Sequence, residues 1–153
     1  MQSPRHSRVW LSLAVLAALM LATVAASTRN ANQFAGYFDY SNAQEQGDLV
    51  QVTLHLQLYN QSDMDLRGVI VTLVDSSPAM TFRGNFQPIK SWKKQQFVNL
   101  QQEFSISKRE FAEWNGAPAQ PNLVILYQDS KGQTFQRGAQ ISRRQLVRVL
   151  SEE

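Results

Sequence analysis

From Val50 to Leu58 every second residue is apolar, and Gln51, Thr53, His55 and Gln57 stand between them. Successive side chains of a strand point to opposite faces, so this stretch predicts a strand with one dry face and one wet one. A helix would scatter the same apolar residues around its circumference. Gln61 to Asp65 is turn chemistry, and Leu66 to Asp75 rises as a second strand with Val69, Val71 and Leu73 on one face. Ile70 and Val74 make its other face apolar too, as expected of a central strand.

The remaining elements follow from the same period. Upstream, Phe34, Phe38 and Tyr40 are in phase on an aromatic strand that can pair antiparallel with Val50–Leu58, across a polar loop from Asn42 to Asp48. Thr81 to Phe86 predicts a short edge strand between Pro78 and Pro88, and Ser91 to Gln95 a basic loop. Gln96 to Ile106 alternates again, with Val98, Leu100, Phe104 and Ile106 inward and Gln102 as the exception. Ser107 and Glu110 form a capping box at the start of a helix of one or two turns, on which Phe111 and Trp114 share a face before Asn115-Gly116 stops it. Asn122 to Gln128 is a nearly continuous apolar run, predicting a strand buried on both faces. Asp129 to Gly132 turns the chain into a last strand, Gln133 to Ile141. The fold class is therefore all-β: a two-sheet antiparallel sandwich of Ig-like or fibronectin III-like type, with about seven strands and one short crossover helix. The Cys-Trp-Cys hallmark of antibody domains is missing, so the expectation concerns architecture alone.

The ends divide differently. Arg5, His6 and Arg8 precede an uncharged stretch from Val9 to Ala26 that closes on the small residues Val24-Ala25-Ala26. That order of basic, apolar and small residues is the pattern of a secretory signal peptide over residues 1–26; the competing reading is an uncleaved anchor. Either places the rest of the chain outside the inner membrane, periplasmic or extracellular. Residues 27–33 read as a connector, 34–141 as the sandwich and 142–153 as a tail that could extend the strand, form a short helix or fray.

Composition narrows the function. The formal charge of +3 invites a nucleic-acid reading, but of the 15 Lys and Arg residues Arg5 and Arg8 lie in the leader, leaving 13 against 12 Asp and Glu. A domain at +1 has no global field to attract phosphate or anionic lipid, so nucleic acid is not an expected partner, and membrane contact is expected only through the N-terminal segment. With no cysteine, disulfides and thiolate metal sites are excluded.

The segment Leu54 to Ser76, LHLQLYNQSDMDLRGVIVTLVDS, sets an alternating strand before an Asn, then a short polar turn, then a V-x-V-x-L strand. It resembles the exported bacterial Ig-like modules related to cell-adhesion and surface-repeat domains. The resemblance covers one hairpin, and implies that Asn60, Gly68, Val69 and Val71 correspond to the turn and the next inward-facing strand. It implies a spacer, adhesive unit or assembly part, and it carries over no catalytic residue.

Candidate chemistry is sparse. His55 is the only histidine outside the leader and sits on the polar side of its strand, where an exposed sheet position accounts for it better than a general base or a metal ligand. Asp63 and Asp65 are best explained as turn formers, since their spacing is not that of a calcium loop. Glu110 is accounted for as a cap partner and Glu113 as part of a solvated face. The remaining lead is aromatic. Trp92 lies beside Lys93 and Lys94, and Phe82 and Phe86 flank Gly84 on the predicted edge strand. Exposed aromatics beside cations anchor protein partners or stack on sugars; the competing reading folds Trp92 back over Phe82 or Phe86. The expectation is a non-catalytic binding or assembly module of the bacterial envelope, with no cofactor and another envelope protein as partner. A carbohydrate-binding or carbohydrate-cleaving protein, and a chaperone-like factor with an open edge strand, are the alternatives.

Overall fold

A computed structural model describes residues 33–116 and 119–144. The signal peptide or anchor assigned to residues 1–26, nearly all of the connector and the tail beyond Arg144 lie outside the described residues. Among those described, no helix is long and apolar enough to cross a membrane.

Among the described residues nine strands form two sheets. They are β1 (Phe34–Gln46), β2 (Leu49–Asn60), β3 (Leu66–Val74), β4 (Phe82–Asn85), β5 (Ile89–Trp92), β6 (Phe97–Ser107), β7 (Asn122–Gln128), β8 (Thr134–Gly138) and β9 (Gln140–Arg143), with helix α1 (Lys108–Asn115) between β6 and β7. Sheet A runs β6-β2-β1-β9, and sheet B runs β4-β3-β7-β8 with β5 also on β3.

The expected strand Val50–Leu58 is the centre of sheet A. Val50, Val52, Leu54, Leu56 and Leu58 are all buried, as the alternation predicts, and β1 and β6 flank them antiparallel. Phe34 and Phe38 of β1 join this core, facing Val69, Val71, Leu73, Leu123, Ile125 and Tyr127 of sheet B. Gly36, between the two phenylalanines, lies so close to β2 that an added Cβ would stand 2.1 Å from the Gln57 carbonyl oxygen. Only glycine allows that approach.

Four expectations are corrected. Of the expected loop Asn42–Asp48 only Gly47 and Asp48 form a turn: β1 continues to Gln46 because a bulge between Ser41 and Gln44, with Asn42 at φ 54°, absorbs the change of phase. The strands number nine rather than seven, for two reasons. A further strand, β5, pairs with β3 beyond β4, the two being separated by Phe86–Pro88; and the expected Gln133–Ile141 strand breaks at Ala139, so that β8 stays in sheet B while β9 crosses to sheet A. There β9 lies parallel to β1, so the sandwich is not wholly antiparallel. Finally, β7 is dry on one face only. Leu123, Ile125 and Tyr127 are buried, but Leu126 is exposed and Val124 half-buried, because nothing among the described residues covers the outer side of sheet B.

In β3 the phase shifts at Gly68, which takes φ +56° in a bulge between Arg67 and Ile70. Leu66 and Val69 can therefore both point inward, three residues apart. At the helix, the Ser107 hydroxyl accepts from the Glu110 N–H at 3.1 Å, as the capping box requires. Trp114 is buried in the core and Phe111 sets its ring edge-on to Tyr40 at 5.0 Å, so α1 closes one end of the sandwich.

Candidate binding face

The outer side of sheet A is built by the polar phase of its strands. Register places Phe97, Tyr59, Ala35 and Gln140 side by side in one row, and Asn99, Gln57, Tyr37 and Ser142 in the next. Gln101, His55 and Asp39 make a third. Phe97 and Tyr37 stay 56% and 49% exposed, and Tyr59 packs on Phe97 with ring centroids 4.7 Å apart. The first two rows contain no charged side chain. Charge enters with Asp39 in the third row and with Arg144, which reaches over the second row to donate to the Gln57 amide oxygen at 2.8 Å.

Two depressions mark this face. One of about 940 Å³ runs from Phe97 and Tyr59 over Tyr37 to Gln140, Ser142 and the C-terminal end of α1 at Asn115 and Gly116. Its far wall is fixed by Arg143, whose guanidinium lies 4.9 Å from the centre of the Tyr40 ring and donates to the Tyr40 hydroxyl at 3.0 Å. Tyr40 in turn donates to the Asn115 side chain. A smaller one of about 340 Å³ lies between Tyr37, His55, Gln57, Asn99 and Arg144. His55 there bonds through Nε2 to the Ser41 hydroxyl at 2.8 Å.

The residues that sequence reasoning singled out lie elsewhere. Trp92 is 1% exposed, stacked on Phe34 at 5.2 Å, with its indole N–H donated to the Gln96 carbonyl at 2.9 Å. It ends a strand opposite Leu66 and plugs the core rather than crossing a basic loop, and it packs on Phe34 rather than on Phe82 or Phe86. Phe86 is equally buried, against Phe104. Neither offers surface to a partner. Phe82 is 63% exposed, and Lys93 and Lys94 are exposed, but they are not brought together. Phe82 pairs with Val74 and Trp92 with Leu66, at opposite ends of β3 and so about 27 Å apart at strand rise.

Tyr37, Tyr59 and Phe97 were missed, although their signal is present. Each is an aromatic in the polar phase of its strand, one position out of step with the buried residues beside it.

The carboxylates are engaged in structure. Asp65 accepts from the Lys94 N–H at 2.9 Å and Asp129 from those of Lys131 and Gln133. The Glu110 carboxylate faces Arg83 rather than returning to the Ser107 N–H as the expected cap partner would: it is buried 3.3 Å from Arg83 Nε, and Arg83 also reaches Asp75 at 3.4 Å. Burial pushes the Glu110 carboxyl above its ordinary value against the pull of Arg83, with Asp75 adding to the rise. The Ser77 hydroxyl bond holds Asp75 below its ordinary value. A raised carboxyl beside a second one is the raw material of acid–base chemistry. Here Glu110 is closed off from solvent, and the trio ties α1 to β4 and the end of β3. Among the described residues no three His, Cys, Asp or Glu side chains are grouped to hold a metal ion.

No family model and no curated protein matches this chain. Among solved structures, it is similar to a GH20 exo-β-N-acetylglucosaminidase from Vibrio harveyi, crystallised with N-acetylglucosamine, at 16% identity and a TM-score of 0.46. That likeness covers 72% of this chain and 18% of the glycosidase. A structural genomics target is similar at 6% identity and a TM-score of 0.37, over 81% of this chain and 96% of that one. Likenesses this distant transfer no activity to this chain.

Proposed function

We propose that this chain is an exported, non-catalytic Ig-like module that binds a protein partner of the bacterial envelope through the outer face of sheet A. Export rests on the basic, apolar and small order of residues 1–26. The Ig-like reading is supported by the division of strands, since β1, β2 and β6 share one sheet while β3, β7 and β8 share the other. One observation carries the binding role. The first two rows, at one end of the sheet, hold Phe97, Tyr59 and Tyr37 among Ala35, amides and a serine, with no Lys, Arg, Asp or Glu of their own; Arg144 reaches in to Gln57 and Asp39 stands in the next row. Interface cores have that composition, being enriched in aromatics and depleted of charge. A solvated sheet face with no partner would be expected to alternate charges.

A second reading has its own support. Gln57, Asn99 and Gln140 stand beside the exposed Tyr37 and Phe97 rings, and amides that both donate and accept suit sugar hydroxyls. The protein reading is preferred because the tilted Tyr59–Phe97 pair presents a ridge rather than a flat platform.

The test is affinity purification of the full chain beside a Tyr59→Ser/Phe97→Ser version. Two central anchors worth about 2 kcal/mol each predict a loss of several-hundred-fold to a thousandfold in affinity, hence loss of the captured protein. A partner retained by the double variant removes this face from the account. Capture of glycan alone, lost with the same substitutions, selects the second reading.

A further inference from the structure

β6 is the outermost strand of sheet A and is 11 residues long. It pairs with β2 from Phe97 to Ser107 without a register shift, and among the described residues no strand lies on its other side. Edges of this kind are templates for further pairing unless blunted by proline, bulges, lysine or brevity. The other edges are blunted. Pro88 lies between β4 and β5, β8 has five residues and carries Arg137, and β9 has four and carries Arg143. β6 has no proline, no bulge and no basic residue, and Glu103 is its single charge.

The side chains add a second observation. Val98, Leu100, Gln102, Phe104 and Ile106 share the inward phase, yet only Phe104 and Ile106 are buried. Val98 and Leu100 pack against the core but are only partly buried, and Gln102 is exposed.

We infer that the β6 edge takes up β6 of a second copy of this chain, antiparallel, with the two-fold axis at Gln102. In that register Leu100 meets Phe104 of the second copy, Val98 meets Ile106, Asn99 meets Ser105 and Gln101 meets Glu103. Each of these four pairs is apolar on apolar or polar on polar, and the carboxylate faces an amide donor; only at the strand ends does Phe97 meet Ser107. The partly buried end of each strand lies against the buried end of the other. A two-fold contact closes on itself, so the edge is consumed rather than propagated. The product is an eight-stranded sheet, β9-β1-β2-β6 running on into its own reverse. This pairing stands independently of the proposed binding face, and it would set two such faces side by side.

The chain has no cysteine, so an introduced thiol has no partner within its own chain. Residues directly opposite across an antiparallel pair have Cβ atoms roughly 4.5–5.5 Å apart, close to disulfide reach. The experiment compares Gln102→Cys with Thr134→Cys on β8, each in the full chain expressed in cells and oxidised before non-reducing electrophoresis. A parallel measurement of native mass compares the parent with Gln102→Lys, which sets like charges opposite each other on the axis. The expected result is a covalent dimer from position 102 only, and a native mass halved by Gln102→Lys with the circular dichroism spectrum of the folded chain retained. A monomeric parent, equal cross-linking from position 134, or a dimer indifferent to Gln102→Lys would each overturn the pairing. Loss of a bound partner in the Tyr59→Ser/Phe97→Ser chain leaves the cross-link in place, so the two proposals fail separately.

Discussion

Asn60 offers the sharpest test of how the sandwich is held together. It ends β2 with no solvent exposure, yet its side chain is an amide. Its Nδ2 donates to the Met64 carbonyl at 3.0 Å and the Lys93 carbonyl at 3.3 Å, and its Oδ1 accepts from the Ser62 N–H at 3.1 Å and hydroxyl at 2.6 Å. One residue thus joins β2, the turn into β3 and the turn between β5 and β6. Asn60→Ala removes about two well-formed bonds at about 1 kcal/mol each and leaves a part-buried carbonyl bare at a further 1–3, so the expected loss is about 3–5 kcal/mol. At a urea slope of about 2 kcal/mol/M the midpoint falls by about 1.5–2.5 M. Asn60→Asp is more diagnostic because it keeps the shape and the Ser62 bonds. It replaces the donor with a carboxylate oxygen facing two carbonyls, and it is expected to cost more than alanine at neutral pH. Such a carboxyl has a folded pKa raised above its unfolded one, so its penalty declines as pH falls through the folded value and the protonated group can donate again. The assay is urea unfolding followed by the fluorescence of Trp92 and Trp114, both buried, at pH 7 and near pH 4. An Asn60→Asp chain that lies within about 1 kcal/mol of the parent at pH 7, or that gains nothing on acidification, would refute this account of the knot.

Two further outcomes are expected. Trp92→Ala should cost about 3–5 kcal/mol, a large share of a small domain's stability, whereas Lys93→Ala and Lys94→Ala should stay within about 0.5; thermal melts followed by circular dichroism decide it, and a Trp92→Ala chain as stable as the lysine variants would contradict the core position. Glu110 holds its proton more tightly folded than unfolded, so its contribution is fully present below its ordinary value of 4.5 and is lost as pH rises through the folded value. Glu110→Gln should therefore flatten stability against pH above 4.5 while leaving acid loss below 3.8, where Asp75 acts with the opposite sign, unchanged; denaturant midpoints over a pH series read both, and a parent curve already flat above 4.5 would refute it.

Much of the framework was legible because it depends on local period. The alternation of Val50–Leu58 set the central strand, and Ser107 with Glu110 set the helix start. What was not legible depends on partners distant in sequence. Trp92 looks solvated among lysines, and only the approach of Phe34, far back in the chain, makes it core. The break at Ala139 is marked only by Gly138, a single glycine that reads equally as a bulge, so the passage of β9 into sheet A was hidden within an ordinary strand pattern. Glu110 was read from its own helix, while its state is set by burial against the sandwich and opposed by Arg83 on β4. The binding face was half visible. Tyr37, Tyr59 and Phe97 stand in polar phase within single strands, but their gathering into adjacent rows needed the registers of three strands.

The central claim is that the chain works through the outer face of sheet A. It is tested most directly by placing a photo-cross-linking side chain, one position at a time, at Tyr37, Tyr59 and Phe97, and at Leu126 on the outer side of sheet B, in the full chain within intact cells. The account predicts one discrete protein adduct shared by the three sheet A positions and none from Leu126. An adduct formed from Leu126 but from none of the three would contradict it.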